Sequence, residues 1–236
     1  MKKELTFVYI CRAGENEELR YSIRSINHFY PDAKIWVVGE PPRWYDGDYI
    51  KVKQTETKYR NAFMNLGAIV NSKDIPENFI LMNDDFYLIE PVESFDYFHE
   101  GLLVDKYNSY FDYYQASAYT KKIFETNYKL KKLGYKDPIS YELHVPFPVE
   151  KSKLARVLRY DTLLWRSMYG NMFEVGGTQM EDVKVYAIVK MKFKSYDYKK
   201  PVSPFLSSDD TSFEIVRRAI LSKLFKKKSK LEKRGL

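Results

Sequence analysis

Two β-rich runs flank an amphipathic stretch at the amino end, and this arrangement constrains the fold more than any other feature. LTFVYI (Leu5 to Ile10) reads as one buried strand and AKIWVVG (Ala33 to Gly39) as another. Between them, NEELRYSIRSINHFY sets Leu19, Ile23, Ile26 and Tyr30 at helical spacing, and Pro31 ends the pattern. Strand, helix and strand within about 35 residues form a βαβ unit, whose right-handed crossover brings both strands into one parallel sheet. The expected class is α/β, with a mostly parallel, doubly wound sheet. The 236 residues are 44% hydrophobic and 30% charged, enough to fill one sizeable core. No apolar run approaches roughly 18 residues, so the reading is a soluble globular chain, neither disordered nor membrane-spanning.

Further along, a PPRWYDG turn precedes a short strand near Tyr49 to Val52, and TKYRNAFMNLGAIVNS puts Tyr59, Phe63, Leu66 and Val70 on one helical face. Phe79 to Met82 form an apolar strand that stops at Asn83, Asp84 and Asp85. An acidic pair at a strand's carboxyl end lies where open α/β sheets bind ligands. Residues 95 to 143 are rich in Tyr and Lys, with a helix expected near Thr120 to Leu133 that Gly134 ends. In LHVPFPVEKSKLARVL two prolines bracket a short extended piece ahead of another helix. Thr178 and Glu181 read as a capping box that sets Asp182 in a helix's first turn. Thr211 and Glu214 repeat the device ahead of a stripe at Val216, Ile220 and Leu224.

Adjacent carboxylates can hold a divalent cation through hard oxygen ligands, so Asp84 and Asp85 are candidate ligands for magnesium or manganese. Asn and Asp also populate turns for local reasons, the competing reading. His144 sits where prolines fix the backbone; a rigidly held imidazole is a candidate general base, and the alternative is a loop histidine satisfied by carbonyls. His28 and His99 read as structural. Arg20 and Arg24 share one helix face and either reach a phosphate or are solvated. Arg12 lies just past the first strand, facing the expected ligand crevice. Asp182 has a helix-dipole explanation, and Asp209 and Asp210, added as cation ligands, have the same one as caps for the last helix. The sequence has no Gly-rich phosphate loop, Walker motif or nucleophile elbow, which disfavours P-loop kinases, dinucleotide dehydrogenases and α/β-hydrolases.

The single cysteine, Cys11, excludes an intramolecular disulfide and a Cys-cluster zinc site and points to a reducing compartment. The opening residues lack the pattern of a secretory signal, so the expected location is cytoplasmic, with the mature chain starting at Met1. Of the net charge of +7, residues 217 to 236 carry nine Lys or Arg and one acid, leaving −1 for the rest. The basic character belongs to the C-terminus rather than to the globular surface.

Four segments together resemble the Stealth family of capsular-polysaccharide sugar-phosphate transferases. ENEELRYSIRSINHFYPDAKIWVVGEPPRW is similar to the family's NELRYSLRSI segment with its following strand and proline-tryptophan turn. FILMNDDFYLIEP is similar to its NDD signature, HVPFPVEKSKL to its His-x-Pro segment, and GGTQMEDVKVYAIV to its later Asp-containing helix. The resemblance implies a nucleotide-diphosphosugar transferase (GT-A-like) fold, with residues 1–90 as a nucleotide-binding half and 91–210 as an acceptor half of one domain. Residues 211–236 then form a basic amphipathic C-terminal helix or tail. It implies transfer of a sugar, or sugar-1-phosphate, from a nucleotide-sugar donor to a hydroxyl acceptor. Asp84 and Asp85 would serve the cation and nucleotide, with Asn83 orienting them. His144 would act as base, Asp182 would serve the acceptor or metal, and Arg20 the diphosphate. The basic tail suggests an anionic inner-membrane face or a polyanionic glycan as partner, with DNA as a third option if the enzyme is a phage-type glycosyltransferase of DNA bases. A non-catalytic module holding a glycan or nucleic acid through some of the 21 tyrosines is the remaining alternative.

Overall fold

β1 (Thr6–Cys11), α1 (Glu17–Phe29) and β2 (Lys34–Gly39) form the expected βαβ unit, the strands parallel from Thr6 opposite Lys34 to Cys11 opposite Gly39. The computed structural model describes residues 5–54, 57–114, 117–160, 164–187 and 196–233. β3 (Asp48–Lys51), α2 (Lys58–Asn71) and β4 (Asn78–Asn83) follow, and both strands join the sheet in parallel. β5 (Phe86–Leu88) leaves it, and β7 (Phe147–Glu150) closes the far edge antiparallel to β4. The order β3-β2-β1-β4-β7 is an α/β sheet, parallel but for one edge strand. Phe7, Val8, Tyr9, Val37, Val38, Leu81 and Met82 are all fully buried, so apolar residues run on without alternation, as in strands covered on both faces.

The order reverses beside β1, where β2 and β3 lie on one side and β4 on the other. The loop leaving the carboxyl end of β1 and the turn leaving that of β4 meet there, joined by a hydrogen bond from Asn16 to Asp84, at the place where open α/β sheets bind ligands. Gly39 lets the neighbouring end of the sheet close. Its φ is +135°, and a Cβ there would stand 2.1 Å from the Cys11 carbonyl oxygen.

The chain divides into two compact units. The first contains the chain up to Phe95, His144–Lys151 and the chain from Val183 on. Besides the main sheet it holds a small one in which β10 (Phe205–Ser208) pairs antiparallel with β5 and parallel with β9 (Lys184–Val185). The second, Asp96–Leu143 and Ser152–Asp182, holds β6 (Phe98–His99), α3 (Leu103–Tyr114), α4 (Ala118–Lys132), most of α5 (Lys151–Val157), α6 (Trp165–Met172) and β8 (Thr178–Gln179). No helix among the described residues is long and apolar enough to cross a membrane.

Two local expectations are corrected. Thr178 and Glu181 open no helix: the Thr178 and Met180 amides donate to the Tyr97 and His99 carbonyls at 3.0 Å each, pairing β8 with β6. The donors that a first helical turn would offer are thus engaged in a sheet, and non-local pairing outweighs the local cap. At the C-terminus, α7 (Phe213–Val216) runs into a π-helical stretch (Arg217–Leu221) and a last turn, α8 (Ser222–Leu224). The wider π turn moves the buried position from Ile220 to Leu221, so Val216, Leu221 and Phe225 pack with Tyr21, Tyr87 and Leu206 while Leu224 stays 46% exposed.

The basic segment beyond Phe225 lies against α1. Both oxygens of the buried Glu232 accept from Arg24 at 2.7 Å, and Ser229 hydrogen-bonds Asn27. The Asp46 amide donates to the Leu231 carbonyl, and the Lys233 amide to that of Trp44, both at 2.8 Å.

Candidate functional site

Asp84 and Asp85 form the tight turn between β4 and β5, at the point where the strand order reverses. Asp84 faces the loop that follows β1. Its Oδ2 accepts from Asn16 Nδ2 at 2.7 Å, and Arg12 Nε stands 3.7 Å from the same oxygen. Asn16 is held at both ends. It takes a left-handed conformation (φ 44°), and its Oδ1 caps α1 by accepting from the Leu19 amide at 3.1 Å. Arg12 gathers two further carboxylates, Glu18 at 2.5 Å and Asp210 at 2.9 Å.

Asp85 faces the small sheet. Lys184 Nζ on β9 donates to its Oδ2 at 2.9 Å, and Ser207 Oγ on β10 donates at 3.2 Å. His144 sits in a bend ahead of β7, its ring 6.0 Å from that of Phe86 in an edge-on arrangement.

These surroundings drive the neighbouring carboxyls apart. Burial, then the charge of Asp85, push Asp84 up to about 7, more than the Asn16 hydrogen bond and Arg12 offset. Burial pushes Asp85 up too, but the Lys184 ammonium and then His144 outweigh it and hold Asp85 below the ordinary carboxylate range. The turn thus carries one acid that keeps its proton toward neutrality and one that stays ionised. Glu18 is raised by its burial, against the pull of Arg12. The buried Cys11 thiol is pushed well up by desolvation and then by Asp84, which makes it a packing residue rather than a nucleophile.

Among the described residues no group of three or more His, Cys, Asp or Glu is arranged to hold a metal ion. Magnesium does not need such a cage, since it is commonly held by one or two carboxylates together with substrate phosphates. Asp84 and Asp85 fit that donor set, and the four acids Glu18, Asp84, Asp85 and Asp210 outnumber Arg12 and Lys184 around the turn. Asp209 is engaged otherwise. Its Oδ1 accepts from the Thr211 and Ser212 amides and the Thr211 hydroxyl at 2.7 to 3.0 Å, starting the last helix.

The structure therefore brings Arg12, Asp84, Asp85, Asp210 and His144 into one unit, with Asn83 as the half-buried last residue of β4. Arg20 is used elsewhere: it pairs with Glu17 at 3.0 Å and lies 4.7 Å over the Trp44 ring. Asp182 belongs to the second unit, half-buried in an irregular stretch. Sequence reasoning missed Asn16, Glu18, Lys184 and Ser207. The first two carried a signal, as a helix-capping Asn and a first-turn acid. The other two arrive through strand pairings distant in sequence.

Beside this cluster, the carboxyl ends of β1, β2 and β3 surround a cleft of about 810 Å³, lined by Gly14, Glu40, Arg43, Tyr45, Tyr49 and Lys51 among others.

No protein-family model and no curated protein sequence matches the chain. Among the solved structures similar to it are three that each share 10% identity with the chain. An active-site mutant of LgtC aligns over 93% of this chain and 95% of that one (TM-score 0.48). The galactosyltransferase LgtC in complex with donor and acceptor sugar analogues aligns over 73% and 66% (TM-score 0.38). The apo-form glycosyltransferase GlyE of Streptococcus pneumoniae aligns over 76% and 45% (TM-score 0.32).

Proposed function

We propose that the protein is a glycosyltransferase that moves a sugar, or a sugar-1-phosphate, from a nucleotide-activated donor to a hydroxyl acceptor. The observation that carries the reading is the Asp84–Asp85 turn at the strand-order reversal, buried beside Arg12, Lys184 and His144, with one carboxyl raised and its neighbour lowered.

In this reading the nucleoside lies in the cleft at the ends of β1 to β3. Tyr49, 55% exposed, offers a ring face there, and Arg43 and Lys51 positive charge. Asp84 and Asp85 hold magnesium or manganese, which when bound offsets negative charge on the departing phosphate. Arg12 and Lys184, paired with Asp84 and Asp85, fix the two carboxylates in position for the cation. His144 draws the proton from the acceptor hydroxyl.

The test is nucleotide release from a panel of nucleotide sugars, with magnesium or manganese present. Metal-dependent release by the wild type and its loss in Asp85→Asn are expected. The proposal fails if no nucleotide sugar is hydrolysed, transferred or able to raise the melting temperature under any metal condition.

A further inference from the structure

The second unit carries an apolar surface that its own fold leaves uncovered. α3 and α4 pack antiparallel, because Tyr110 meets Tyr119 at 5.1 Å between ring centroids while Tyr107 meets Phe124 at 5.5 Å. The hairpin's inward stripe is Leu103, Ile123 and Leu130, all fully buried. A second apolar face remains. Along it Phe111 touches Tyr107 (5.6 Å), Tyr107 touches Phe124 (5.5 Å), and Phe124 stacks nearly parallel to Tyr128 (6.4 Å, 13°). Phe111, Phe124 and Tyr128 are 46%, 52% and 55% exposed. Isolated exposed rings need no explanation, but a continuous row of them marks an interaction surface.

The surrounding charge identifies the partner. Residues 103 to 137 hold seven lysines against four acids, Asp105, Asp112, Glu125 and Asp137, and α4 alone holds five lysines, at 121, 122, 129, 131 and 132, against Glu125. Lys132 lies 5.6 Å over the Tyr128 ring, at the end of the aromatic row. Phe and Tyr side by side with lysines on one helical surface is the composition of a segment lying in a membrane interface, where rings enter the acyl boundary and ammonium groups reach lipid phosphates. The C-terminal segment is also basic, yet its apolar residues Val216, Leu221 and Phe225 are committed to the core of the first unit. Its exposed apolar side chains, Ile215 and Leu224, are two separate aliphatic residues rather than a row of rings.

We infer that the α3–α4 hairpin is a docking surface for an anionic lipid bilayer, with Phe111, Phe124 and Tyr128 entering the interface and the lysines of α4 pairing with lipid phosphates. The inference is independent of the proposed chemistry, because its assay contains no nucleotide.

The full chain is sedimented with phosphatidylglycerol-containing vesicles and with pure phosphatidylcholine vesicles. Binding to the anionic vesicles, weakened by salt, is expected, and the triple variant Phe111→Ser, Phe124→Ser, Tyr128→Ser should lose at least about tenfold in partition. The three rings are also about half buried and touch one another, so circular dichroism first establishes that the variant is folded at the assay temperature. A second variant, Phe124→Trp, reads the surface directly: its emission should shift to the blue on vesicles and be quenched by brominated lipid. Anionic-vesicle binding unchanged in the triple variant, or a difference in emission between Phe124→Trp and the wild type that is indifferent to lipid, would overturn the inference. So would absence of vesicle binding, with or without retention on a neutral polysaccharide.

Discussion

Asp84 and Asp85 are neighbours in sequence, yet the structure predicts that changing each to asparagine has opposite effects on stability. Asp84 ionises near 7 in the folded chain, against about 3.9 for an unperturbed aspartate. Its folded value lies above its unfolded one, so its contribution is most favourable below about pH 4. That contribution is lost as pH rises toward 7, beyond which the folded state bears the full penalty. A shift of about three units corresponds to roughly 4 kcal/mol. Part of it reflects repulsion from Asp85 and the side chain keeps 18% exposure, so about 2 kcal/mol is the working figure. Asparagine preserves an acceptor for Asn16 Nδ2 and carries no charge. Asp84→Asn should therefore be more stable than the wild type at about pH 8, by roughly 4–8 °C in Tm for a chain of this size, and equal to it near pH 4. Asp85→Asn should behave the other way. It removes the ionised partner of Lys184, whose side chain is only 14% exposed, and should cost about 3 kcal/mol at neutral pH. The assay is thermal and urea unfolding of both variants across this pH range, in chelator so that no bound cation masks the charge. A destabilised Asp84→Asn at pH 8, or the same sign for both variants, would refute the split-ionisation argument. A stabilising loss of an acid is also what a functional residue produces, since site residues are retained at the expense of stability.

Two further expectations follow from the same geometry. His144→Ala should lower turnover by about a hundredfold or more with little change in donor affinity, the usual share of a general base, and a matching fall in Tm would instead mark a packing role. Glu232→Gln should cost about 2–4 kcal/mol by breaking the bidentate bond that ties the C-terminal segment to Arg24 on α1. Burial raises the Glu232 carboxyl, but Arg24 holds it below the ordinary range. Its stabilisation is therefore full above about pH 4.3 and disappears as pH falls through the lower folded value, which acid unfolding of wild type and variant would display.

The main sheet was readable because β1, β2 and β4 are short apolar runs bounded by turn residues and α1 keeps clean periodicity, whereas β3 is a mostly exposed DYIK edge strand and α2 buries Asn65, Leu66 and Ile69 rather than the expected face of Tyr59, Phe63, Leu66 and Val70. Leu5 to Ile10, Ala33 to Gly39 and Phe79 to Met82 fall on β1, β2 and β4 within a residue or so. The expectations that differ do so where distant parts of the chain decide. Thr178 carries a sound local cap but pairs with a strand 80 residues earlier, at Phe98. The stripe at Val216, Ile220 and Leu224 assumes 3.6 residues per turn, and a π stretch shifts it by one position.

The candidate site divides along the same line. That two carboxylates stand at a strand's carboxyl end is a local fact, written in FILMNDD and in the apolar strand before it. Which of the two keeps its proton is not local. Lys184 and Ser207 reach Asp85 across 99 and 122 residues, through a small sheet whose register depends on the antiparallel match of Phe205 with Leu88. Arg12 and Asn16 reach Asp84 from the loop after β1, 68 or more residues away. The motif therefore sets where a cation or a phosphate could be met, and the folded sheet order sets the charge state it would meet there. Exchanging the partners, with a neutral residue at 184 and the NDD turn intact, would preserve the motif and remove the asymmetry that gives it its chemistry.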